Sequence, residues 1–178
     1  MASVHLRALD INDLECILRW HNDIDLYKTL IGSFNYVSRE TEEEWLRKKL
    51  AYSPYEVNLA ICLENNSEHI GNIYLRNIDW VSRNGELHIL IGSPENRSKG
   101  YGQEAVRLLI QYAFNEIGLL RLHLLVLADH QAAIRVYEKC GFIIEGRLRK
   151  HVFKGGEVKD AFIMGLWAED LKLANSTS

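Results

Sequence analysis

Ile91-Gly92-Ser93-Pro94-Glu95-Asn96-Arg97-Ser98-Lys99-Gly100-Tyr101-Gly102-Gln103-Glu104-Ala105 is the stretch on which the reading of this chain turns. A short apolar strand, Glu86 to Gly92, runs into a polar loop with two glycines, and a helix opens at the second of them. In that helix Ala105, Leu108, Leu109, Tyr112 and Ala113 fall at i, i+3, i+4, i+7 and i+8, one apolar stripe over about four turns. The first N–H groups of a helix have no intrahelical partner and lie at the positive end of its dipole. Glycines without side chains let an anion reach them. Arg97 and Lys99 bring charge to the same turn. The physical reading is an anion site suited to a pyrophosphate; a helix entry that merely needs glycines explains the spacing equally well.

Two other phosphate-binding arrangements fit less well. A P-loop ends in Gly-Lys-Ser/Thr, and that ending is missing. Gly100-x-Gly102-x-x-Ala105 formally satisfies a dinucleotide fingerprint, with Asp129 beyond the next strand. That fingerprint follows its strand almost directly, however, whereas Ser93 to Lys99 intervene here, and it belongs to a parallel βαβ sheet.

Upstream the sequence reads as a meander. Val57 to Leu63 and Ile70 to Trp80 alternate as strands around the turn Glu64-Asn65-Asn66-Ser67, and Arg83-Asn84-Gly85 turns into Glu86 to Gly92. Before it, Val4 to Leu9 alternates like a strand. Asp10 then caps a helix with apolar Leu14, Ile17 and Leu18. A second helix is expected from about Thr41 to Ala51, with Thr41 and Glu44 at capping-box spacing. Its acidic run Glu40, Glu42, Glu43, Glu44 reads mainly as a solvated face, since Glu43/Arg47 and Glu44/Lys48 stand at i, i+4. Downstream, Leu122 to Leu127 looks like a strand buried on both faces. A helix with Ala133, Val136 and Tyr137 follows and stops at Gly141. A hairpin turned at Lys154-Gly155-Gly156-Glu157 closes the pattern. The order predicts an α/β (or α+β) fold, a mixed sheet with helices on its faces. We expect one domain over residues 1–172 and a flexible tail over 173–178.

Charge and composition limit the function. Across 178 residues the net charge is −3, which argues against a nucleic-acid-holding protein. No run approaches the roughly 18 apolar residues of a membrane span. Cys16, Cys62 and Cys140 fit neither a disulfide framework nor metal spacing, so the chain reads as a cytoplasmic protein without a metal.

Arg97-x-x-Gly100-x-Gly102 resembles the acetyl-CoA pyrophosphate loop of the GNAT N-acetyltransferase superfamily. Independently, Ala132-Ala133-Ile134-Arg135-Val136-Tyr137-Glu138-Lys139-Cys140-Gly141-Phe142 is similar to that family's "AIxxYEKxGF" helix. Leu6-Arg7-Ala8-Leu9, Trp20-His21-Asn22-Asp23 and Glu145-Gly146-Arg147-Leu148-Arg149 look like its branch of ribosomal-protein N-terminal acetyltransferases, to which polyamine and amino-sugar acetyltransferases are also similar. The resemblance implies a mostly antiparallel sheet of about seven strands with helices on both faces. It implies acetyl transfer from acetyl-CoA to a primary amine, a protein N-terminus in the first reading; a polyamine or amino sugar is the alternative acceptor. A non-catalytic acyl-CoA sensor is the alternative to an enzyme. It places cofactor contacts at Leu90, Ile91, Gly92, Arg97, Ser98, Lys99, Gly100, Tyr101, Gly102, His130 and Tyr137, with a backbone N–H among Leu90 to Gly92 polarising the thioester. Where the family usually has asparagine, the chain has Asp129-His130-Gln131. Acetyl-CoA and the amine are the expected partners, with neither nucleic acid nor membrane, and the protein is expected as a monomer or homodimer.

The chemistry sets three needs. An amine of pKa about 10.4 is neutral in only about one molecule in a thousand at pH 7.4, so it must lose a proton. The oxyanion needs donors, and the departing thiolate needs a proton. By resemblance Tyr137 supplies that last proton and Glu86 takes the first. An acid beside an apolar run is expected to have a raised pKa, which suits a base; His88 on the same face, or water, is the substitute.

Overall fold

The computed structural model describes residues 3–171; the tail expected at 173–178 lies outside them. Seven strands form one sheet in the order β1-β2-β3-β4-β5-β7-β6. They are β1 (Val4–Ala8), β2 (Val57–Leu63), β3 (His69–Asp79), β4 (Asn84–Ile91), β5 (Arg121–Leu127), β6 (Ile143–Lys154) and β7 (Glu157–Trp167). Every neighbouring pair is antiparallel except β4 and β5. The helices are α1 (Leu14–His21), α2 (Ile24–Tyr27), α3 (Arg39–Leu50), α4 (Tyr101–Gln111) and α5 (Gln131–Lys139).

Period-two alternation sorts the strand residues into two cores. Ile61, Ile73, Leu75, Leu87, Leu122, Leu124 and Met164 pack with Ala105, Val106 and Leu109 of α4 and Ile134 of α5. On the opposite face Ala60, Cys62, Tyr74 and Leu90 pack with Leu14, Ile17 and Trp20 of α1 and Leu46 of α3. Helices therefore cover both faces of the sheet.

Local signals explain the boundaries. Asp10 accepts from the Asn12 amide and forms a reciprocal capping box with Asp13, so a 3₁₀ turn precedes α1. The cap of α3 is Ser38 and not Thr41: Ser38 is extended, and its Oγ accepts from the Thr41 amide at 3.2 Å. α4 starts one residue earlier than the glycine pattern suggests. Gly100 takes the left-handed conformation (φ 88°) and Tyr101 is already helical. β5 is buried on one face only. Leu122, Leu124 and Val126 are buried against the helices, while His123 and Leu125 are half-buried on the other side. The reason is the opening of the sheet described next.

Candidate active site

β4 and β5 run side by side for only three registered positions, Asn84↔Arg121, Gly85↔Leu122 and Glu86↔His123. Beyond them β4 stays with β3 as far as Ile91, and β5 stays with β7 as far as Leu127. The sheet therefore splits into a V in its middle. The Gly92 amide donates to the Ile70 carbonyl across β3 at 2.8 Å. Backbone groups alternate sides along a strand, so Leu90 and Gly92 address β3, and Ile89 and Ile91 address the opening. Of the expected Leu90 to Gly92 donors, only Ile91 faces the gap, and Ile89 joins it. Leu90 serves the α1 core, with 8% of its surface exposed.

The loop above the V supplies the second element. Ser98 (φ 59°) and Gly100 (φ 88°) are both left-handed, which turns the backbone sharply into α4. Ser98, Lys99 and Gly100 are exposed, and Tyr101 and Gly102 are half-buried at the helix start. A Cβ at Gly102 would meet nothing closer than Ile91 Cγ1 at 3.7 Å, so the space over the first turn is open toward the strand end. An α4 entry of this form fits a pyrophosphate. Arg97, by contrast, does not point outward as the charge count suggests. Its Nε donates to the Ile91 carbonyl at 3.2 Å and an Nη to the Gly92 carbonyl at 2.6 Å, with Asp23 3.9 Å away. Arg97 fastens the end of β4 to the loop and leaves Lys99 as the exposed cation there.

On the α4/α5 side, Tyr137 is half-buried with its ring edge-on to Phe142 at 6.0 Å. Burial pushes its phenol above the ordinary tyrosine value of 10, so it carries its proton at neutral pH and can only give one away. His130 holds the N-cap position of α5 without a side-chain cap bond, and Asp129 beside it is taken up by Lys159 at 2.6 Å.

Glu86 stands at the apex of the V, on the α1–α3 face. Its position follows from an irregularity: Asn77 is left-handed (φ 52°) where the β3–β4 register shifts, and its side-chain amide donates to Glu86 Oε2 at 2.8 Å. His88 Nε2 lies 3.1 Å from Glu86 Oε1. The expected raised pKa is reversed. The His88 contact holds the Glu86 carboxyl down at about 2 against burial, which pushes the other way, and Asn77 adds to the lowering. The sequence places His88 on the same face as an alternative base, and the structure shows the two groups paired. His123, which the sequence does not single out, is the register partner of Glu86 on β5, and its Nδ1 is buried without a partner. The only signal was one polar residue inside the apolar run Leu122 to Leu127. Burial first, then Arg121, lowers the His123 pKa.

The same face is bounded by α2, the loop after it and the β6–β7 hairpin. They enclose a pocket of about 470 Å³ lined by Tyr27, Phe34 and residues 151–155 among others. Lys154 ties its walls together, donating to the carbonyls of Tyr27, at 2.8 Å, and Gly32. Of the acidic run on α3, Glu43 and Glu44 pair outward with Arg47 and Lys48 as expected. Glu42 turns inward, 2% exposed, and bonds His21 Nδ1 at 2.8 Å.

A split β4/β5 pair, a left-handed glycine loop leading into α4, and a tyrosine on the following helix define an acyl-CoA-dependent transferase. Residues 3–143 match the family described as the acetyltransferase (GNAT) domain. The chain belongs to the GNAT family and is an acetyl-CoA-dependent N-acetyltransferase. It is 29% identical over 165 residues to spermidine N(1)-acetyltransferase of Escherichia coli strain K12, covering 91% of this chain and 84% of that protein. It is 26% identical over 168 residues to L-amino acid N-acetyltransferase AaaT of the same organism, covering 92% and 98%. The crystal structure of Vibrio cholerae spermidine N-acetyltransferase in complex with CoA and spermine superimposes with a TM-score of 0.87 at 26% identity, covering 94% of this chain and 96% of that one. These relatives act on small amines, so the finer resemblance to the ribosomal-protein branch is not where the similarity falls.

Proposed function

We propose that this chain acetylates a small free primary amine delivered to the α1–α3 face, with Glu86, His88 and Tyr137 at the reacting atoms. The observation that carries the reading is the V between β4 and β5, open beyond Glu86 and His123 with the Ile89 and Ile91 backbone facing it. The pyrophosphate would rest on the turn from Ser98 to Gly102, with Lys99 nearby, and the pantetheine arm would enter the V. There the N–H of Ile89 or Ile91 polarises the thioester carbonyl and holds the oxyanion. Glu86 stays ionised and is itself a weak base, so the amine proton passes to His88 or to water beside it. The carboxylate then stabilises the imidazolium, the division of labour of a carboxylate–histidine pair. The amine attacks the carbonyl carbon, the C–S bond breaks, and the Tyr137 phenol gives its proton to the thiolate.

The names of the relatives support a polyamine acceptor ahead of a protein N-terminus. Three free cysteines support a cytoplasmic location, and among the described residues no helix is long and apolar enough to cross a membrane. Whether the protein is a monomer or a homodimer is read by light scattering.

The test is calorimetric titration with acetyl-CoA, followed by CoA release measured with spermidine, an amino sugar and N-terminal alanine and serine peptides. Binding plus release with one amine class establishes the reading. Binding without release from any of them supports the sensor alternative, and absence of binding removes the loop assignment.

A further inference from the structure

The buried polar atoms without a hydrogen-bond partner crowd one place. Glu42 Oε1, Tyr74 Oη, Arg76 Nε and His123 Nδ1 are among them, and all four lie on the α1–α3 face. Buried polar groups in folded proteins are satisfied by protein, water or ligand. A concentration of them marks where the acceptor sits, and their chemistry says what it carries.

Arg76 decides the matter. Its guanidinium lies over the Tyr74 ring at 4.8 Å, half-buried, and forms no ion pair among the described residues. The carboxylates that could neutralise it are engaged elsewhere. Glu86, its register partner on β4, is held by Asn77 and His88. Glu56 pairs with Lys49 and feels Arg76 only at longer range, and Glu42 bonds His21. An unpaired, partly buried guanidinium is costly unless something arrives to meet it. The pocket between α2 and the hairpin has no carboxylate in its lining, and its lysines are already engaged, Lys28 with Asp25 and Lys154 with the Tyr27 and Gly32 carbonyls. Tyr27 is the wall shared by that pocket and the apex. Burial and Glu42 raise its phenol pKa, and Arg76 opposes them. A polyamine offers only cationic donors, and the Arg76 guanidinium has no acceptor with which to meet them.

We propose that the acceptor is a primary amine that also carries an oxyanion, a carboxylate or a phosphate, gripped by Arg76 while the amine faces Glu86 and His88. Arg76 and Glu86 sit opposite each other on adjacent strands, about 4.8 Å apart. Arg76 stacks on Tyr74, the register partner of His88, so an acceptor of two to four bonds between amine and oxyanion is the starting choice for the test. The guanidinium fork suits such a group bidentately. This rests on the acetyl-transfer reading above and sets an anionic amine ahead of the polyamine that the relatives' names support.

The test uses amines matched in their two-carbon body: ethanolamine, β-alanine and phosphoethanolamine, with spermidine beside them. CoA release is followed in the wild type, Arg76→Gln and Arg76→Lys. Charge-assisted bonds of this kind predict a kcat/KM advantage of about tenfold to a hundredfold for an anionic amine over ethanolamine. Whether β-alanine or phosphoethanolamine leads tells carboxylate from phosphate. Arg76→Gln should bring the anionic-to-neutral ratio close to one, mainly through KM, and Arg76→Lys should restore part of it. Wild-type acetyl-CoA affinity in both variants shows that they are folded. Spermidine as the fastest acceptor, or a ratio that survives Arg76→Gln, overturns the inference. Absence of release from all four amines, with acetyl-CoA still bound, strikes the acetyl-transfer reading and takes the inference down with it.

Discussion

The Trp20 indole fills the space in which a Cβ at position 92 would have to sit. Gly92 lies just past the end of β4, beside the Ile91 backbone that faces the opening between β4 and β5, so this contact sets how close α1 comes to the V. Gly92→Ala should destabilise the fold by about 1–3 kcal/mol through overpacking, and weaken acetyl-CoA binding with it. Adding Trp20→Leu to that variant should cost less than Trp20→Leu alone, because the alanine then fills part of the vacated space. Urea unfolding of the four proteins measures the coupling; strict additivity would mean the two residues do not compete for space.

Gly100 is required for its backbone. At φ 88° a Cβ is strained, so Gly100→Ala should lose about 1–2 kcal/mol and bind acetyl-CoA less well. Gly100→Asp adds negative charge where the pyrophosphate approaches and should abolish binding. Calorimetry reads both, and unaltered affinity in the aspartate variant would sink the phosphate-loop assignment.

Tyr137→Phe keeps the ring on Phe142 and removes only the proton donor. Turnover should fall by about a hundredfold, with acetyl-CoA affinity little changed. Wild-type turnover would take Tyr137 out of the mechanism.

The pH dependence of stability follows from Glu86. Its folded pKa of about 2 lies below the ordinary 4.5, so the unfolded chain takes up the proton first. The contribution is present above pH 4.5 and is lost as pH falls from there through 2. Glutamine does not titrate, so the stability gap between wild type and Glu86→Gln should be about 1–2 kcal/mol at pH 7 and shrink by pH 2.5. A gap of constant size would show that the His88 and Asn77 contacts do not hold the carboxylate in solution.

Lys154→Met removes the cation shared by the Tyr27 and Gly32 carbonyls. The acceptor KM should rise several-fold while acetyl-CoA affinity stays at the wild-type value, because the mouth loosens and the V does not. Equal losses in both would mean that the hairpin supports the whole fold.

What was legible in the sequence followed periodicity and punctuation. Val57 to Leu63 alternates and is β2; Ala105, Leu109 and Ala113 are buried at helical spacing; Gly141 ends α5 with φ 96°. The left-handed glycine turn into α4 was legible because glycine spacing is local. The polar cluster around Glu86 was not, because it is made across strands. The bond from Asn77 to Glu86 depends on a register shift between β3 and β4 that no periodicity announces. Glu42 belonged by composition to a solvated face, and only the packing of α3 on α1 shows it bonded to His21. Arg97 counted as phosphate charge because residue type is visible in a sequence and side-chain direction is not.

The Lys154 bonds to Tyr27 and Gly32 join positions 127 and 122 residues apart. β7, which carries the hairpin's return, inserts between β5 and β6 and is the last strand to be made. A growing chain that has reached Phe142 already holds every residue of the cofactor loop and both helices beside it, yet β5 still lacks the strand that fills its other edge. Closing the sheet and building the acceptor mouth are therefore one late event in the birth of the molecule. A nascent chain exposes the β5 edge to its neighbours on the ribosome, and the enzyme becomes competent for its second substrate only when that edge is sealed.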